Sequence, residues 1–238
     1  MRLPGASNFR PVSGLRPVLY RSDHLGALDA HDAQQIRALG ITRVLDFRGV
    51  SERTSAACRL PDVTVHSLPI EPTIVQKLGD LLAAGHRPGA DEVSGHMQDT
   101  YRGFVRHNTE RFADFFAHLL ASDEPTVFHC TAGKDRTGFA AALLLKAVGA
   151  SDEEVMRDYL LTNDRLQLPE ASRHGLPREA MEVLWRVQPA FLEAALAEVD
   201  AGYGSLEAYF REGLRLGEGE RATLRRLYLD SRGPAAAT

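Results

Sequence analysis

The segment from Thr126 to Gly138 constrains the fold most, because it joins a short apolar run to an apolar helix through a polar loop. Residues 126–130 read Thr-Val-Phe-His-Cys, which is typical of a buried strand, and residues 137–148 are predicted to form a helix closed by Gly149. Between Cys130 and Thr137 lies Thr-Ala-Gly-Lys-Asp-Arg. A strand that enters a helix through so short a loop is typical of a sheet with helices packed on it.

The rest of the chain extends this pattern. Further strands are predicted at residues 18–20, 43–47 and 63–68. Helices are predicted over residues 29–39, 101–120, 152–166, 178–199, 206–216 and 219–229. We therefore predict an α/β fold with a central, mostly parallel sheet flanked by helices and a helical C-terminal half.

One domain is expected over residues 1–232, followed by a flexible tail at residues 233–238. The segment from Pro69 to Gly95 is rich in proline and glycine and predicts a long mobile connection. Together with the helix after it, residues 69–120 are a candidate lid over a site; the alternative is a disordered surface loop.

Composition narrows the function classes. The chain has 238 residues and a net charge of −4, which argues against a dedicated nucleic-acid binder. No apolar run approaches the roughly 20 residues of a membrane span. With two cysteines and no signal peptide in the first residues, a cytoplasmic protein is expected, although export by another route stays open. No histidine or cysteine spacing suggests a metal, and we expect neither a metal nor a cofactor.

The loop after the strand predicts an anion site. Successive backbone N–H groups and the positive end of the helix form a nest, and Gly133 permits the positive φ that such a turn needs. Arg136 supplies a planar fork that matches two phosphate oxygens, and residues 131–134, Thr131, Ala132, Gly133 and Lys134, are expected to line the nest. The same field would favour the thiolate of Cys130, a nucleophile aimed at phosphorus.

Neighbouring side chains are candidates for supporting roles. His129 is expected to hydrogen-bond the cysteine backbone, and the Thr137 hydroxyl to donate to the sulfur. A leaving oxygen also needs a proton, for which Asp135 is the preferred donor; Glu71 and Asp46 compete with it.

Structural roles are expected for several other charged residues and for the second cysteine. Asp46 is expected to pair structurally with Arg48, with a part in the chemistry as the alternative. Glu52 and Arg53 are expected to form a solvated turn; the alternative is that they bind a second charged group of the substrate. For Cys58 a structural role is expected, with a redox partnership to Cys130 as the alternative.

His129-Cys130-x5-Arg136-Thr137 resembles the signature loop of the protein tyrosine phosphatase superfamily. The fuller Cys-Thr-Ala-Gly-Lys-Asp-Arg-Thr-Gly resembles its bacterial branch of tyrosine and dual- or triple-specificity phosphatases. The similarity extends to Ser7–Arg10, Leu19–Ser22, Gly40–Arg48, Asp158–Asp164 and Tyr203–Ser205.

The resemblance implies phosphate monoester hydrolysis through a phosphocysteine, without a metal. It also implies that the acid comes from elsewhere than a Trp-Pro-Asp loop, because the single tryptophan, Trp185, precedes Arg186 and Val187; this favours Asp135. Since lipid-phosphatase branches carry Lys or Asp in this loop, Lys134 with Asp135 implies phosphoinositides as substrates beside phosphotyrosine and phosphoserine/threonine proteins.

Two other interpretations remain at this point. The first is an inactive phosphatase-like module that binds phosphoproteins or phospholipid head groups. The second is another thiolate enzyme, an arsenate reductase or a sulfurtransferase, which would also use an anion-cradling cysteine loop. Arg136-Thr137 and the lack of a resolving cysteine near the loop disfavour the second interpretation.

Overall fold

The computed structural model describes residues 3–71, 73–166 and 175–229. Its centre is a five-stranded sheet with the strand order β1-β2-β5-β3-β4. The strands are β1 (Arg10–Pro11), β2 (Leu19–Ser22), β3 (Arg43–Arg48), β4 (Thr64–Ile70) and β5 (Thr126–His129). The β1–β2 pair at one edge is antiparallel, whereas β2–β5, β5–β3 and β3–β4 are parallel. The predicted α/β class with a mostly parallel sheet is therefore confirmed.

Helices surround the sheet and dominate the second half of the chain. The helices before β5 are α1 (Ala30–Arg37), α2 (Val50–Ser55), α3 (Thr73–Ala83) and α4 (Ala90–Ala121). Those after it are α5 (Asp135–Val148), α6 (Asp152–Leu160), α7 (Thr162–Arg165), α8 (Arg178–Trp185), α9 (Pro189–Tyr203), α10 (Leu206–Ala208) and α11 (Glu218–Tyr228). A 3-10 turn follows β2 at Leu25–Ala27, and a π-helical turn follows α10 at Tyr209–Gly213.

Strand β5 occupies the middle of the sheet and is paired along both sides. Phe128 lies between Arg21 of β2 and Leu45 of β3, and every residue of β5 is buried. Because β2, β3 and β5 are parallel, their carboxyl ends meet at one edge of the sheet, where α/β proteins place their ligand sites. Ser22, Arg48 and His129 are the last residues of these three strands.

The larger core cluster joins the sheet to α4 and α5. Phenylalanines of α4 pack on one another and on Phe139 of α5, with ring centroids 5.0 Å apart for Phe112 and Phe139. Phe115 likewise packs on Phe128 of β5 at 5.1 Å. Burial of each such side chain contributes about 1.5–3 kcal/mol. This packing fixes the start of α5 against the end of β5, and so fixes the loop between them.

Several predicted boundaries were wrong. The helix predicted over residues 178–199 is two helices, because Gln188 precedes Pro189 and adopts an extended conformation (φ −129°, ψ 146°). Helix α4 begins eleven residues before the predicted start at Tyr101, and α5 begins at Asp135 rather than Thr137. Helix α2 lies where a solvated turn was expected, whereas α3 falls within the segment expected to form a lid. The predicted tail at residues 233–238 lies outside the described residues.

Two searches of the described residues gave no result. Among the described helices, none combines the length and the apolar composition that crossing a bilayer requires. Likewise, no three His, Cys, Asp or Glu side chains within residues 3–71, 73–166 and 175–229 come together in an arrangement that could hold a metal ion.

Candidate active site

The loop between β5 and α5 turns sharply at Gly133. Its φ is +63°, and a Cβ at this position would lie 2.3 Å from the backbone oxygen of Ser22. Only glycine satisfies both the left-handed backbone and this close approach. The expectation that Gly133 supplies a positive φ is confirmed.

The loop presents a run of unpartnered backbone amides. None of the N–H groups of residues 131–137 donates to an acceptor in the part of the chain that the structure describes; the first such bond of α5 runs from Gly138 to Lys134. Four of these donors belong to the first turn of any helix, and the loop adds the others. Converging N–H groups at a helix N-terminus form a ready site for an anion such as phosphate.

A cavity of about 200 Å³ opens above this loop. Cys130, only 2% exposed, lines it together with five other residues of the loop and the start of α5: Thr131, Ala132, Lys134, Asp135 and Arg136. Apolar side chains form much of the remaining wall: Ile74, Val75, Met97, Phe104, Leu166, Leu184 and Trp185. The thiol, a carboxylate and a guanidinium therefore share one small pocket.

Glu52 holds the guanidinium of Arg136. Two hydrogen bonds run from Nη1 and Nη2 of Arg136 to the carboxylate of Glu52, at 2.7 and 2.9 Å, and Nη1 also donates to the carbonyl of Ile70 at 2.8 Å. An arginine has five N–H donors. Nε–H and the second Nη2 hydrogen, which share one edge of the fork, are left to bind an anion bidentately.

This ion pair shifts both titrations. Burial opposes the charge of Glu52, but the hydrogen bonds and charge of Arg136 outweigh it and lower the pKa of Glu52 to about 2. Burial likewise opposes the charge of Arg136, yet Glu52 and then Cys130 hold the pKa of Arg136 above its ordinary value. The expectation that Glu52 lies in a solvated turn was wrong. Helix α2 follows β3 directly and places the side chain of Glu52 in the cavity, against Arg136. Sequence reasoning singled out Glu52 but missed its contact with Arg136.

Asn8 supports the loop from behind. Its Nδ2 donates to the carbonyls of Ala132 and Gly133, both at 3.0 Å, so that these oxygens face away from the cavity. Arg21 adds a third bond to the carbonyl of Gly133 at 3.1 Å. Because the loop carbonyls are held toward Asn8 and Arg21, the N–H groups of the loop are left to point toward the cavity.

A buried charge network lies behind the same loop. Arg21 forms an ion pair with Asp158 at 2.6 Å, and both side chains are 1% exposed or less. Arg10 donates to the backbone carbonyl of Asp158 and to the hydroxyl of Thr162. The segments around Asn8, Arg21 and Asp158, which carry the family resemblance along the chain, therefore converge on one loop.

His129 and Asp46 make contacts that hold the protein's structure. Nδ1 of His129 lies 3.1 Å from the carbonyl oxygen of Cys130, as expected. Burial lowers the pKa of His129 to about 4, so the ring is neutral and donates from Nδ1. Asp46 is buried in an ion pair with Arg48 at 2.8 Å and does not line the cavity. The predicted structural pairing is confirmed, and as a proton donor Asp46 is disfavoured.

Asp135 lies at the cavity wall, and one of its oxygens takes part in a hydrogen bond and an ion pair. The hydroxyl of Tyr101 donates to Oδ1 at 3.0 Å, and Nζ of Lys134 lies 3.1 Å from the same atom. Nζ of Lys134 also donates to the carbonyl of Leu184 at 2.7 Å. Lys134 is 5% exposed and lines the cavity, as expected, and its ammonium ties the loop to the end of α8.

Thr137 and Glu71, two further residues predicted to belong to the site, make different contacts. Thr137 is buried, but its Oγ1 has no hydrogen-bond partner among the residues described, so the expected bond to the sulfur is not formed. The earlier start of α5 places Thr137 inside the first helical turn rather than before it. Glu71 lines the cavity and accepts a hydrogen bond from the backbone N–H of Val50 at 3.2 Å. Cys58 and Cys130 are both free thiols.

Comparison with known proteins identifies the family. A sequence model of the tyrosine phosphatase family matches residues 1–230. The chain belongs to the tyrosine phosphatase family. The superfamily resemblance of the loop is thereby confirmed.

Named relatives agree with this assignment. The triple specificity protein phosphatase PtpB of Mycobacterium tuberculosis is 34% identical over 256 residues, which cover 88% of this chain and 92% of that protein. A Cupriavidus necator protein with a provisional name as a tyrosine-protein phosphatase is 32% identical, covering 94% and 86%. Among solved structures, P. aeruginosa TpbA covers 82% of this chain and 98% of its own, at 18% identity and a TM-score of 0.39.

The protein is therefore a cysteine-dependent hydrolase of phosphate monoesters. This confirms the activity that the loop predicts, and neither an inactive binding module nor a different thiolate enzyme is favoured. The phosphatase unites in one cavity the cysteine, arginine and aspartate singled out from its sequence.

Proposed function

We propose that the phosphatase hydrolyses protein phosphotyrosine through a phosphocysteine on Cys130, with Arg136 binding the phosphate and Asp135 as the proton donor. The unpartnered amides of residues 131–137 beside the Cys130 thiol carry this proposal. They match the three oxygens of a phosphoryl group, and the free edge of the Arg136 guanidinium adds a charge-assisted pair of donors.

The first step transfers the phosphoryl group to sulfur. A lone pair of the Cys130 thiolate forms the S–P bond as the P–O bond to the leaving group breaks. The electron pair of that bond stays on the leaving oxygen, which takes the proton of Asp135. The loop amides and Arg136 stabilise the charge spread over the three equatorial oxygens.

The second step releases phosphate. Asp135, now a carboxylate, accepts a proton from a water that attacks phosphorus. The S–P bond breaks and its electron pair returns to Cys130 as thiolate. Thr137, whose buried hydroxyl has no partner among the described residues, is the donor available to the departing sulfur. Asp135 ends the cycle protonated, so atoms and charges balance.

Phosphotyrosine is favoured by the walls of the cavity. The cavity that contains the proposed phosphate site is also lined by Met97, Phe104 and Leu184, apolar side chains that suit the ring of an aryl phosphate. Lys134 is one of the residues that implied phosphoinositide substrates. Its ammonium already donates to the carbonyl of Leu184 and forms an ion pair with Asp135. Phosphoserine, phosphothreonine and phosphoinositides stay secondary candidates, in line with the printed name of the mycobacterial relative, a triple specificity protein phosphatase.

The candidate lid has support from the cavity. Ile74 and Val75 of α3 and Met97 of α4 line it, although Val75 is 67% exposed. Residues 69–120 would then close over bound substrate within one catalytic domain of residues 1–232. Binding of vanadate should slow amide hydrogen exchange in α3; unchanged exchange would count against a lid.

A reducing compartment such as the cytoplasm suits this chemistry. Both Cys130 and Cys58 are free thiols, and a thiolate that lines a cavity, as proposed for Cys130, is open to small oxidants. Fractionation of the producing cells, followed by an activity assay, would show whether the phosphatase stays inside.

Substitution of Cys130 tests the mechanism. Cys130→Ser should abolish turnover of phosphotyrosine peptides while inorganic phosphate still binds, because the amides and Arg136 remain. Cys58→Ser is the matched control and should keep wild-type activity. Turnover near wild type in the Cys130 variant would refute the phosphocysteine.

A second comparison tests the acid. Asp135→Asn should slow phenyl phosphate roughly 100-fold, the low end of general acid catalysis, and 4-nitrophenyl phosphate much less. Glu71→Gln should slow both substrates little. The reverse pattern would assign the proton to Glu71.

A further inference from the structure

Tyr101 of α4 contacts the carboxyl group of Asp135. The tyrosine is fully buried, and its hydroxyl donates to Oδ1 of Asp135 at 3.0 Å. The same hydroxyl lies 2.7 Å from the hydroxyl of Tyr159, a residue of α6 that is also buried. Three helices, α4, α5 and α6, thus contribute to one short hydrogen-bonded chain.

The direction of each bond in this chain is fixed by the hydrogens available. Tyr101 has a single O–H hydrogen, which it donates to Asp135. It therefore accepts from Tyr159, so the chain runs from Tyr159 to Tyr101 to Asp135. Every hydroxyl hydrogen in it is used, and the last acceptor is the carboxyl oxygen.

The two oxygens of Asp135 are unequal as a result. Oδ1 accepts from Tyr101 and forms an ion pair with the ammonium of Lys134 at 3.1 Å, so a proton on this oxygen would meet both a hydroxyl hydrogen and a positive charge. Oδ2 has no such donors among the described residues. The proton that the mechanism needs accordingly belongs on Oδ2.

We infer that Tyr101 is a positioning residue that orients the carboxyl group of Asp135, so that Oδ2 carries the catalytic proton and presents it to the leaving oxygen. Tyr159 orients Tyr101 in turn. This inference rests on the proposed function, because it requires Asp135 to be the proton donor.

Burial keeps both hydroxyls available as donors. It raises the pKa of Tyr101 and of Tyr159 well above the ordinary value, and the negative charge of Asp135 raises both further. Rigid packing adds to this: the ring of Tyr159 lies against Gly138 of α5, where a Cβ would be 3.1 Å from the ring. Both hydroxyls therefore keep their protons near neutral pH, and the chain of donors stays intact there.

Removal of one oxygen atom tests the inference. Tyr101→Phe should lower kcat for phenyl phosphate roughly tenfold, part of the contribution of a general acid, and kcat for 4-nitrophenyl phosphate less than about twofold. Tyr159→Phe, which acts through Tyr101, should show the same pattern with a smaller loss. The matched control is Tyr209→Phe, a buried tyrosine whose hydroxyl contacts Thr109 at 3.2 Å, and it should match the wild type on both substrates.

The double variant separates this inference from the proposed function. Asp135→Asn with Tyr101→Phe should be no slower than Asp135→Asn alone, because the tyrosine acts only through the acid. An equal loss on both phosphates in Tyr101→Phe, or an added loss in the double variant, would overturn the role of Tyr101 while leaving Asp135 in place. If Asp135→Asn itself spares phenyl phosphate, the proposed acid fails and the tyrosine's role with it.

Discussion

The carboxylate of Glu52 accepts two hydrogen bonds from the guanidinium of Arg136, at 2.7 and 2.9 Å. The pair joins α2, which follows β3, to the first turn of α5, which follows β5. Because Glu52 takes one edge of the fork, the other edge keeps a fixed orientation for phosphate. The phosphate-binding arginine is therefore oriented before substrate arrives.

Neutralisation of Glu52 should weaken phosphate binding. In Glu52→Gln the fork loses its charged partner, so we expect KM and the inhibition constant of inorganic phosphate to rise roughly tenfold, or about 1.4 kcal/mol. Glu154→Gln is the matched control, since Glu52 and Glu154 both accept the N-cap N–H of their own helix, each at 2.8 Å. Equal effects of the two substitutions would reduce Glu52 to a helix cap.

Removal of the Asn8 amide should loosen the loop. Asn8→Ala deletes both bonds to the carbonyls of Ala132 and Gly133, so phosphate affinity and kcat should both fall about tenfold. Asn108→Ala deletes a similar amide bond to the carbonyl of Gly103 within α4 and should change stability alone. Kinetics and thermal unfolding of the two variants decide; wild-type kinetics in Asn8→Ala would contradict the support role.

Addition of a methyl group at Gly133 should disrupt the site by steric overlap. Gly133→Ala combines a left-handed φ, which costs about 1–2 kcal/mol, with a Cβ only 2.3 Å from the Ser22 oxygen. Gly204→Ala carries the φ cost alone, because it has a φ of +80° and nothing within 4 Å of the new Cβ. Urea unfolding should show a larger loss for Gly133→Ala, with activity abolished. Equal losses with activity retained would rule out the overlap.

Replacement of Lys134 should affect all substrates alike. Lys134→Met removes the bonds to Leu184 and Asp135, so activity on phosphotyrosine peptides and on phosphoinositides should fall by the same factor. Lys77→Met, on the exposed side of α3 near the cavity, is the control for a cation on the surface. A loss confined to phosphoinositides in Lys134→Met would restore the lipid-binding role that the family resemblance implies.

Protonation of His129 should make the fold weaker in mild acid. Burial lowers the pKa of His129 to about 4, below the 6.5 of a free histidine, so the unfolded chain binds a proton that the native chain does not. Stability is full above about pH 6.5 and falls as the pH drops toward 4, by about 3 kcal/mol in total.

Urea unfolding at several pH values between 4.5 and 7 checks this expectation. The buried carboxylate Asp46, whose pKa is held below its ordinary value by Arg48 despite burial, loses its contribution only at lower pH. His129→Gln should flatten the profile, whereas His107→Gln, on the surface, should leave it unchanged. An unchanged slope in His129→Gln would contradict the neutral buried ring.

Local chemistry explains which elements could be predicted. The β5 run, Gly133 and the apolar start of α5 are adjacent in the chain, so their spacing alone predicts a strand, a tight turn and a helix. By contrast, β1 has two residues and is stabilised by its pairing with β2, and α2 offers no apolar periodicity. Such elements form because tertiary neighbours complete them, which a linear pattern does not reveal.

The chemistry of the loop follows from local sequence: a thiol, a turn that needs glycine, a guanidinium group and a helix N-terminus lie within nine residues, a spacing too short for the fold to rearrange. The surroundings of that loop, by contrast, depend on long-range contacts. Glu52 and Asn8, from two distant parts of the chain, and Tyr101, from a third, meet it through hydrogen bonds between side chains far apart in sequence. Their contacts depend on the order of parallel strands and the packing of α4, and each such residue by itself looks like an ordinary surface or core residue.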